Sequence, residues 1–190
     1  MNRKLLLSIG IAAVLIAVII FQRIDFSSRV SDPGKLQLPA DLITVKAEGY
    51  SLKLAKDGDK WLINEQEYPA DLDQASDIEK KISEIKLLDL VSEKGYYDKY
   101  DLTAEKGVEV IASAGGKQLR KLIIGKQGLT GNQVYVRIDD AKEVYLASGI
   151  TAAEFKPETD MLRDKKIFDV KGDELLSFNI KYAGKEYTFI

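Results

Sequence analysis

The sequence predicts an α+β protein, an antiparallel β-sheet meander with one long amphipathic helix packed on it, preceded by a single N-terminal transmembrane helix. Three observations predict it: an uncharged run over residues 5–21, short alternating apolar segments from residue 41 onwards, and a change to a helical period at 69–90. The chain divides accordingly into an anchor at 1–23, a linker at 24–40 and an extracytoplasmic domain at 41–190.

The N-terminal run has the length of a membrane-spanning helix. Arg3 and Lys4 precede Leu5–Phe21, and these 17 residues would make a helix of about 26 Å, close to the hydrocarbon thickness of a bilayer. A cleavable signal peptide is the alternative, but its apolar core usually spans about 7 to 15 residues and ends at a small-x-small site. We therefore expect an uncleaved signal-anchor. The basic pair ahead of it predicts a cytoplasmic N-terminus and a domain outside.

Composition excludes several classes of function. After residue 22 the chain holds 26 basic and 30 acidic residues, a net charge of −4, which argues against a nucleic-acid partner. His and Cys are absent, which removes disulfides, thiol nucleophiles, the commonest general base and the commonest metal ligands. We therefore expect no catalytic residue, no cofactor and no metal site.

The first half of the domain combines strands with one helix. Alternating apolar residues flank the Glu48-Gly49 turn, and the Asp57-Gly58 turn leads into a third strand at Trp61–Ile63. An amphipathic helix is predicted within Pro69–Leu90, with Asp71 and Asp73 at its start. Its stripe, which we expect to pack on the sheet, is Ile78, Ile82, Ile85 and Leu88.

The second half predicts an antiparallel meander and a final hairpin. Turn residues separate the four alternating runs, which are Val108–Ser113, Gln118–Ile124, Gln133–Ile138 and Glu143–Ala147. Short helical turns are expected on either side of Pro157. The final hairpin, Leu175–Lys181 with Glu186–Ile190, echoes the apolar pattern of the first. It either closes the sheet of the one domain, which we favour, or is the start of a second repeat at 174–190.

A series of glycine, aromatic and apolar landmarks runs along the domain in a fixed order. They are Gly49-Tyr50-Ser51-Leu52, Gly58 to Ile63, Pro69-Ala70-Asp71, Tyr100-Asp101-Leu102, Leu122 to Gly125, Gly131 to Val136 and Val144-Tyr145-Leu146. This order resembles that of a known family, the domain of unknown function 4340, over roughly residues 41–167. The resemblance implies a bacterial membrane-anchored protein, often associated with gliding-motility-type ABC transport systems, with no catalytic residues to carry over.

A candidate interface is predicted on two loops. The segment Tyr96–Tyr100 holds three tyrosines in an expected loop, where at least one ring should be exposed and available to a protein or carbohydrate partner. The Gly-rich join at 125–132 is the second candidate. The candidate residues are Tyr96, Tyr97, Tyr100, Lys126, Gln127, Leu129 and Asn132.

These observations lead to one functional expectation and two alternatives. We expect a non-enzymatic, single-pass binding and assembly module of the bacterial cytoplasmic membrane, an accessory subunit of an envelope ABC transport or motility-type complex. One alternative is an envelope enzyme acting on a glycan, which would need two carboxylates about 5 to 9.5 Å apart in a cleft. The other is a structural stalk of repeated domains.

Overall fold

A computed structural model of the chain describes residues 30, 33–166 and 177–189. They form mostly antiparallel β-sheet with few helices. Nine strands make one sheet in the order β4-β3-β2-β1-β6-β7-β8-β9-β5, and every neighbouring pair is antiparallel. Its strands are β1 Leu42–Ala47, β2 Tyr50–Asp57, β3 Lys60–Ile63, β4 Tyr68–Pro69, β5 Lys86–Ser92, β6 Val108–Ala114, β7 Lys117–Gln127, β8 Gln133–Ile138 and β9 Val144–Ser148.

The sheet consists of two meanders joined side by side and one added edge strand. Strands β1 to β4 form the first meander and β6 to β9 the second, β1 pairs with β6 to make them continuous, and β5 pairs with β9 at the far edge. The predicted turns are confirmed, since Ala47 pairs with Tyr50 across Glu48-Gly49 and Ala114 pairs with Lys117 across Gly115-Gly116. The predicted helical turns around Pro157 are also present, at Ala153–Phe155 and at α2, Thr159–Leu162.

Helix α1, Leu72–Ser83, covers one face of this sheet. Asp71 caps it as predicted, because the backbone N–H of Gln74 donates to Asp71 Oδ1 at 3.0 Å. Ala75, Ile78 and Ile82 are buried against the strands. The core between helix and sheet also includes Trp61, Phe155, Val45, Leu54 and Ile124.

The prediction of one long helix at 69–90 was wrong at its C-terminal end. The helix has 12 residues, and Lys86–Ser92, which includes Leu88, forms the edge strand β5 paired with β9. The physical reason is a tertiary contact: Arg120 on β7 donates to the carbonyl oxygens of Ile82 at 3.0 Å and Ser83 at 3.1 Å. In a longer helix these carbonyls would accept hydrogen bonds from backbone N–H groups one turn further on. Because Arg120 satisfies them, the helix ends here and the chain continues as a strand.

Part of the predicted linker lies on the domain. We call residues 33–40 the strap. Arg120, which is 5% exposed, donates to the carbonyls of Pro33 at 2.9 Å and Gly34 at 2.8 Å. Further contacts are an ion pair from Lys35 to Glu84 at 2.6 Å, a hydrogen bond from Leu36 N–H to Ser83 Oγ, and one from Ala40 N–H to Glu79 Oε1. The strap is therefore fixed along α1 and its C-terminal end.

The final hairpin does not join the nine-stranded sheet. Strands β10, Phe178–Tyr182, and β11, Lys185–Phe189, form a separate two-stranded sheet joined by the predicted Ala183-Gly184 turn. The expectation that it closes the sheet was wrong, because the sheet already has its edge strands in β4 and β5. The start of a second repeat stays a prediction.

The predicted anchor, Leu5–Phe21, lies outside the described residues. Among the residues that are described, no helix combines the length and the apolar composition needed to cross a bilayer.

Candidate functional site

The second face of the sheet, opposite α1, is only partly covered. The segment at residues 95–107, which we call the tyrosine segment, lies on this face over β7 and β8. Leu102, 1% exposed, is its buried anchor. A side chain at Gly125 on β7 would overlap the carbonyl oxygen of Tyr100, so the segment lies directly on that strand.

Tyr97 is half-buried and held at both ends. Its hydroxyl donates to the carbonyl oxygen of Lys142 at 3.2 Å, in the turn between β8 and β9. The guanidinium carbon of Arg137, on β8, lies 4.1 Å from the centre of its ring. This stacking orients the arginine as well as the tyrosine.

The ring of Tyr100 also packs against the sheet. It lies against the ring of Tyr135 on β8, with 4.8 Å between ring centres and an interplanar angle of 44°. An alanine at Tyr97 or Tyr100 would therefore disturb the packing of the tyrosine segment on the sheet.

Tyr96 is the exposed ring that the sequence predicted for this loop. It is 55% exposed and adopts a left-handed backbone conformation, φ +64°, at the start of the short helix Tyr97–Tyr100. Lys99 Nζ lies 4.9 Å from its ring centre. Residues of β5, including Leu90, share a shallow cavity with Tyr96, so the ring stands beside the sheet's edge strand.

The second candidate loop begins next to Tyr100. Lys126 and Gln127 still belong to β7, and a β-bulge separates Ile124 from Gln127 in its pairing with β8. The loop proper is closed by two backbone hydrogen bonds between residues 128 and 133 and between 133 and 130, at 2.8 and 3.0 Å. At its tip Leu129 is 100% exposed, and Asn132 is exposed beside it.

An open groove of about 780 Å³ separates the tyrosine segment from strands β1, β6, β7 and β8. Its lining includes two large apolar residues, Leu102 from the tyrosine segment and Ile123 from β7. Strand register places Lys46, Glu109, Ile123 and Arg137 side by side in one row across the four strands. The lining residues that carry charge are Lys46, Glu48, Glu105, Glu109, Lys121 and Arg137.

Half of these charges already have partners. Lys121 Nζ lies 3.0 Å from Glu109 Oε2. Hydrogen bonds from its own backbone N–H and from the Thr103 side chain hold the pKa of Glu105 below its usual range. Lys46 forms no ion pair with any described residue, and Arg137 forms none either. The groove thus presents an unneutralised cation at each end of the row.

Three described carboxyl groups have shifted pKa values. The pKa is lowered at Glu84, Glu105 and Glu154, whereas a general acid needs a raised pKa, so these three carboxyls are not suited to that role. Burial raises the pKa of Tyr50 to about 12, and its hydroxyl donates to the Pro157 carbonyl at 2.8 Å. In the described part of the chain, no cluster of three or more carboxylates is arranged to hold a metal ion.

The structure brings together some of the predicted interface residues and adds others. Tyr97 lines the groove, Tyr96 stands beside β5, and Lys126 follows Gly125, which lies under Tyr100. Sequence reasoning missed Arg137 and Lys46. The available signal was their place at outward positions of alternating strands, but only the strand order shows that β1 and β8 border one groove.

Comparison with known proteins yields one family. A family model described as a domain of unknown function, DUF4340, matches residues 61–190, more than two thirds of the chain. No curated protein and no solved structure matches it. The family expected from the spaced glycine and aromatic residues is confirmed, and the match extends through the final hairpin.

Proposed function

The chain belongs to the DUF4340 family, and on that premise we propose that it is a non-enzymatic, membrane-anchored binding and assembly module. Its place would be as an accessory subunit of an envelope ABC transport or motility-type complex, single-pass in the bacterial cytoplasmic membrane with the domain outside. The observation that carries the proposal is the open groove of about 780 Å³ on the second sheet face, lined in part by Tyr97, together with the exposed side chains of Tyr96 and Leu129 on the two candidate loops. Grooves and exposed aromatic or large aliphatic side chains are typical of protein-binding surfaces.

The strap supports a position close to the membrane. The predicted anchor ends at Arg23, and the chain contacts the domain again at Pro33. The intervening ten steps span at most about 35 Å when fully extended. A domain tethered at this distance can reach only the membrane-proximal parts of a transporter or of another envelope complex.

The test is in-cell crosslinking followed by mild detergent extraction, affinity purification and mass spectrometry. The full chain is compared with Tyr96→Ala and Leu129→Ser variants. Recovery of transporter permease or ATPase subunits with the full chain, and a severalfold lower yield with either variant, is the expected result. Leu38→Ser is the matched control, because Leu38 is also an exposed leucine, at 58%, but belongs to the strap.

One alternative is favoured by a particular observation. The β10–β11 hairpin forms a sheet of its own and has the same two-residue loop as the β1–β2 hairpin, which suits a stalk of repeated domains. In the crosslinking experiment a stalk would be recovered without transporter subunits, and the Tyr96 and Leu129 variants would give the same products as the full chain. That outcome would replace the accessory-subunit proposal.

A further inference from the structure

We propose that the groove on the second sheet face binds an extended acidic segment of a protein partner, with one carboxylate on Arg137 and another on Lys46. This inference rests on the proposed function, since it specifies the partner chemistry of the same surface. It is carried by the fixed orientation of Arg137, by the charges that remain unpaired in the groove, and by the spacing of the row that crosses its floor.

Arg137 is positioned as a carboxylate receptor. One face of its guanidinium stacks on Tyr97 at 4.1 Å, and its Nε donates to the Ala141 carbonyl at 3.2 Å. Within the described residues, neither terminal nitrogen of this guanidinium has a hydrogen-bond acceptor. A guanidinium held by one face and by Nε keeps its two terminal nitrogens together, which is the geometry that binds a carboxylate through two hydrogen bonds.

The charge of the groove favours an anionic ligand. Glu109 is neutralised by Lys121 at 3.0 Å, and Glu105 is engaged by Thr103 and by its own backbone. Among the six charged lining residues this leaves the two cations at the ends of the row, against one acid, Glu48, in the β1–β2 turn. The position of Glu48 next to the Lys46 end disfavours a third acidic residue on the ligand beyond that end.

The spacing of the row sets the spacing of the ligand's acids. Lys46 and Arg137 are three strand positions apart, which at about 4.8 Å per strand separates their backbones by about 14 Å. In an extended peptide, residues i and i+4 point to the same side and lie about 13 to 14 Å apart. Residue i+2 points to that side as well and would lie at the middle of the row, between Glu109 and Ile123.

The expected motif is therefore acid-x-apolar-x-acid. The apolar side chain of Ile123, next to the middle of the row, selects for the central apolar residue. It also disfavours a polyphosphate or an anionic glycan, because a continuous chain of charges would place an anionic group over this side chain.

The experiment is an NMR titration of the full isotope-labelled chain in detergent micelles with the peptide acetyl-Asp-Ser-Leu-Ser-Asp-amide. The Arg137 Nε–H and Ile123 methyl signals should shift, and the neutral peptide acetyl-Asn-Ser-Leu-Ser-Asn-amide should bind about tenfold more weakly. Arg137→Gln should lower the affinity for the acidic peptide about tenfold and Lys46→Gln about threefold. Arg137→Lys should fall in between, because it keeps the charge but loses the paired hydrogen bonds.

Lys60→Gln is the matched control, since Lys60 is an exposed lysine on the same sheet face but outside the groove. The affinity of this variant for the acidic peptide should equal that of the unaltered chain. Equal binding of the acidic and neutral peptides would overturn the proposal, as would no binding at about 10 mM peptide. Failure here, with crosslinked transporter subunits still lost in the Tyr96 or Leu129 variants, would leave the proposed function standing. Recovery of no transporter subunit would remove the proposed function itself.

Discussion

Gly125 is the residue on which the tyrosine segment sits most closely. A Cβ at this position would overlap the carbonyl oxygen of Tyr100 and approach Leu102 Cδ2 to 3.0 Å. The backbone of residues 100 and 101 cannot withdraw without losing the ring contact between Tyr100 and Tyr135. A glycine is required here by space and not by backbone conformation, since its φ is not positive.

Replacing Gly125 with alanine should destabilise the domain by about 2 to 4 kcal/mol, because a buried overlap with backbone has no low-energy relief. The measurement is urea unfolding of the full chain followed by circular dichroism. Gly131→Ala is the matched control, because a Cβ at Gly131 meets nothing within 4 Å. We expect its free energy of unfolding to change by less than about 0.5 kcal/mol. Equal effects of the two substitutions would contradict the close packing of the segment on β7.

At the scale of elements, most of the sheet could be predicted from local pattern, while the end of α1 could not. The two-residue alternation of β6 to β9 and the Gly- or Asp-containing turns between them are visible in the local sequence. The stripe Ile78, Ile82, Ile85 and Leu88 fits a helix equally well throughout, and no Gly or Pro interrupts it. The helix ends because Arg120, on β7, binds the carbonyls of its last turn, and such a distant contact is invisible to local periodicity.

The candidate site could likewise be predicted from local sequence only in part. Loop composition was enough to predict an exposed tyrosine at residues 96–100, but not which one, because the partners of Tyr97 and Tyr100 come from β8 and the β8–β9 turn. The pairing of Lys46 with Glu109, and of Ile123 with Arg137, depends on the order β1-β6-β7-β8. That order is a property of the whole sheet and of no single segment.

Glu154 connects α1 to the segment after β9 and should give the domain an acid-sensitive contact. Its carboxylate accepts from the Thr151 N–H at 2.6 Å and from the Thr151 hydroxyl at 2.9 Å, and it pairs with Lys81 at 2.9 Å. Burial opposes the charge, but the bonds from Lys81 and Thr151 outweigh it, so the pKa of Glu154 is lowered from 4.5.

A lowered folded-state pKa stabilises the domain above the unfolded-state pKa, and this contribution is lost as the pH falls through the folded-state value. Glu154→Gln should therefore lower the melting temperature at pH 7, and the difference from the unaltered chain should shrink as the pH falls from 4.5 downwards. Thermal melts at a series of pH values measure this. Glu158→Gln, an exposed acid in the same region, is the control. A difference that is constant between pH 7 and pH 3 would show that the charge of Glu154 is not what connects these elements.

At the scale of the whole molecule, the described residues fall into two parts with different sources of stability. The nine-stranded sheet has a core of buried side chains under α1, further fixed by the strap. Strands β10 and β11 pair with each other in a separate two-stranded sheet, and their Ile180, Tyr187 and Phe189 are 45 to 47% exposed. An isolated two-stranded hairpin is marginally stable in water.

Hydrogen exchange of the full chain should therefore separate the two parts. Amides in β6 and β7, at the centre of the sheet, should exchange only on global unfolding, with exchange free energies that fall as denaturant is added. Amides paired within β10 and β11 should exchange orders of magnitude faster, through local opening that denaturant hardly changes. The β1–β2 hairpin is the internal control, since it has the same two-residue loop but a buried apolar face, and it should behave like β6. Protection of β10–β11 equal to that of β1–β2 would mean that the apolar side of the final hairpin is covered in solution, and its stability would then have to come from another surface.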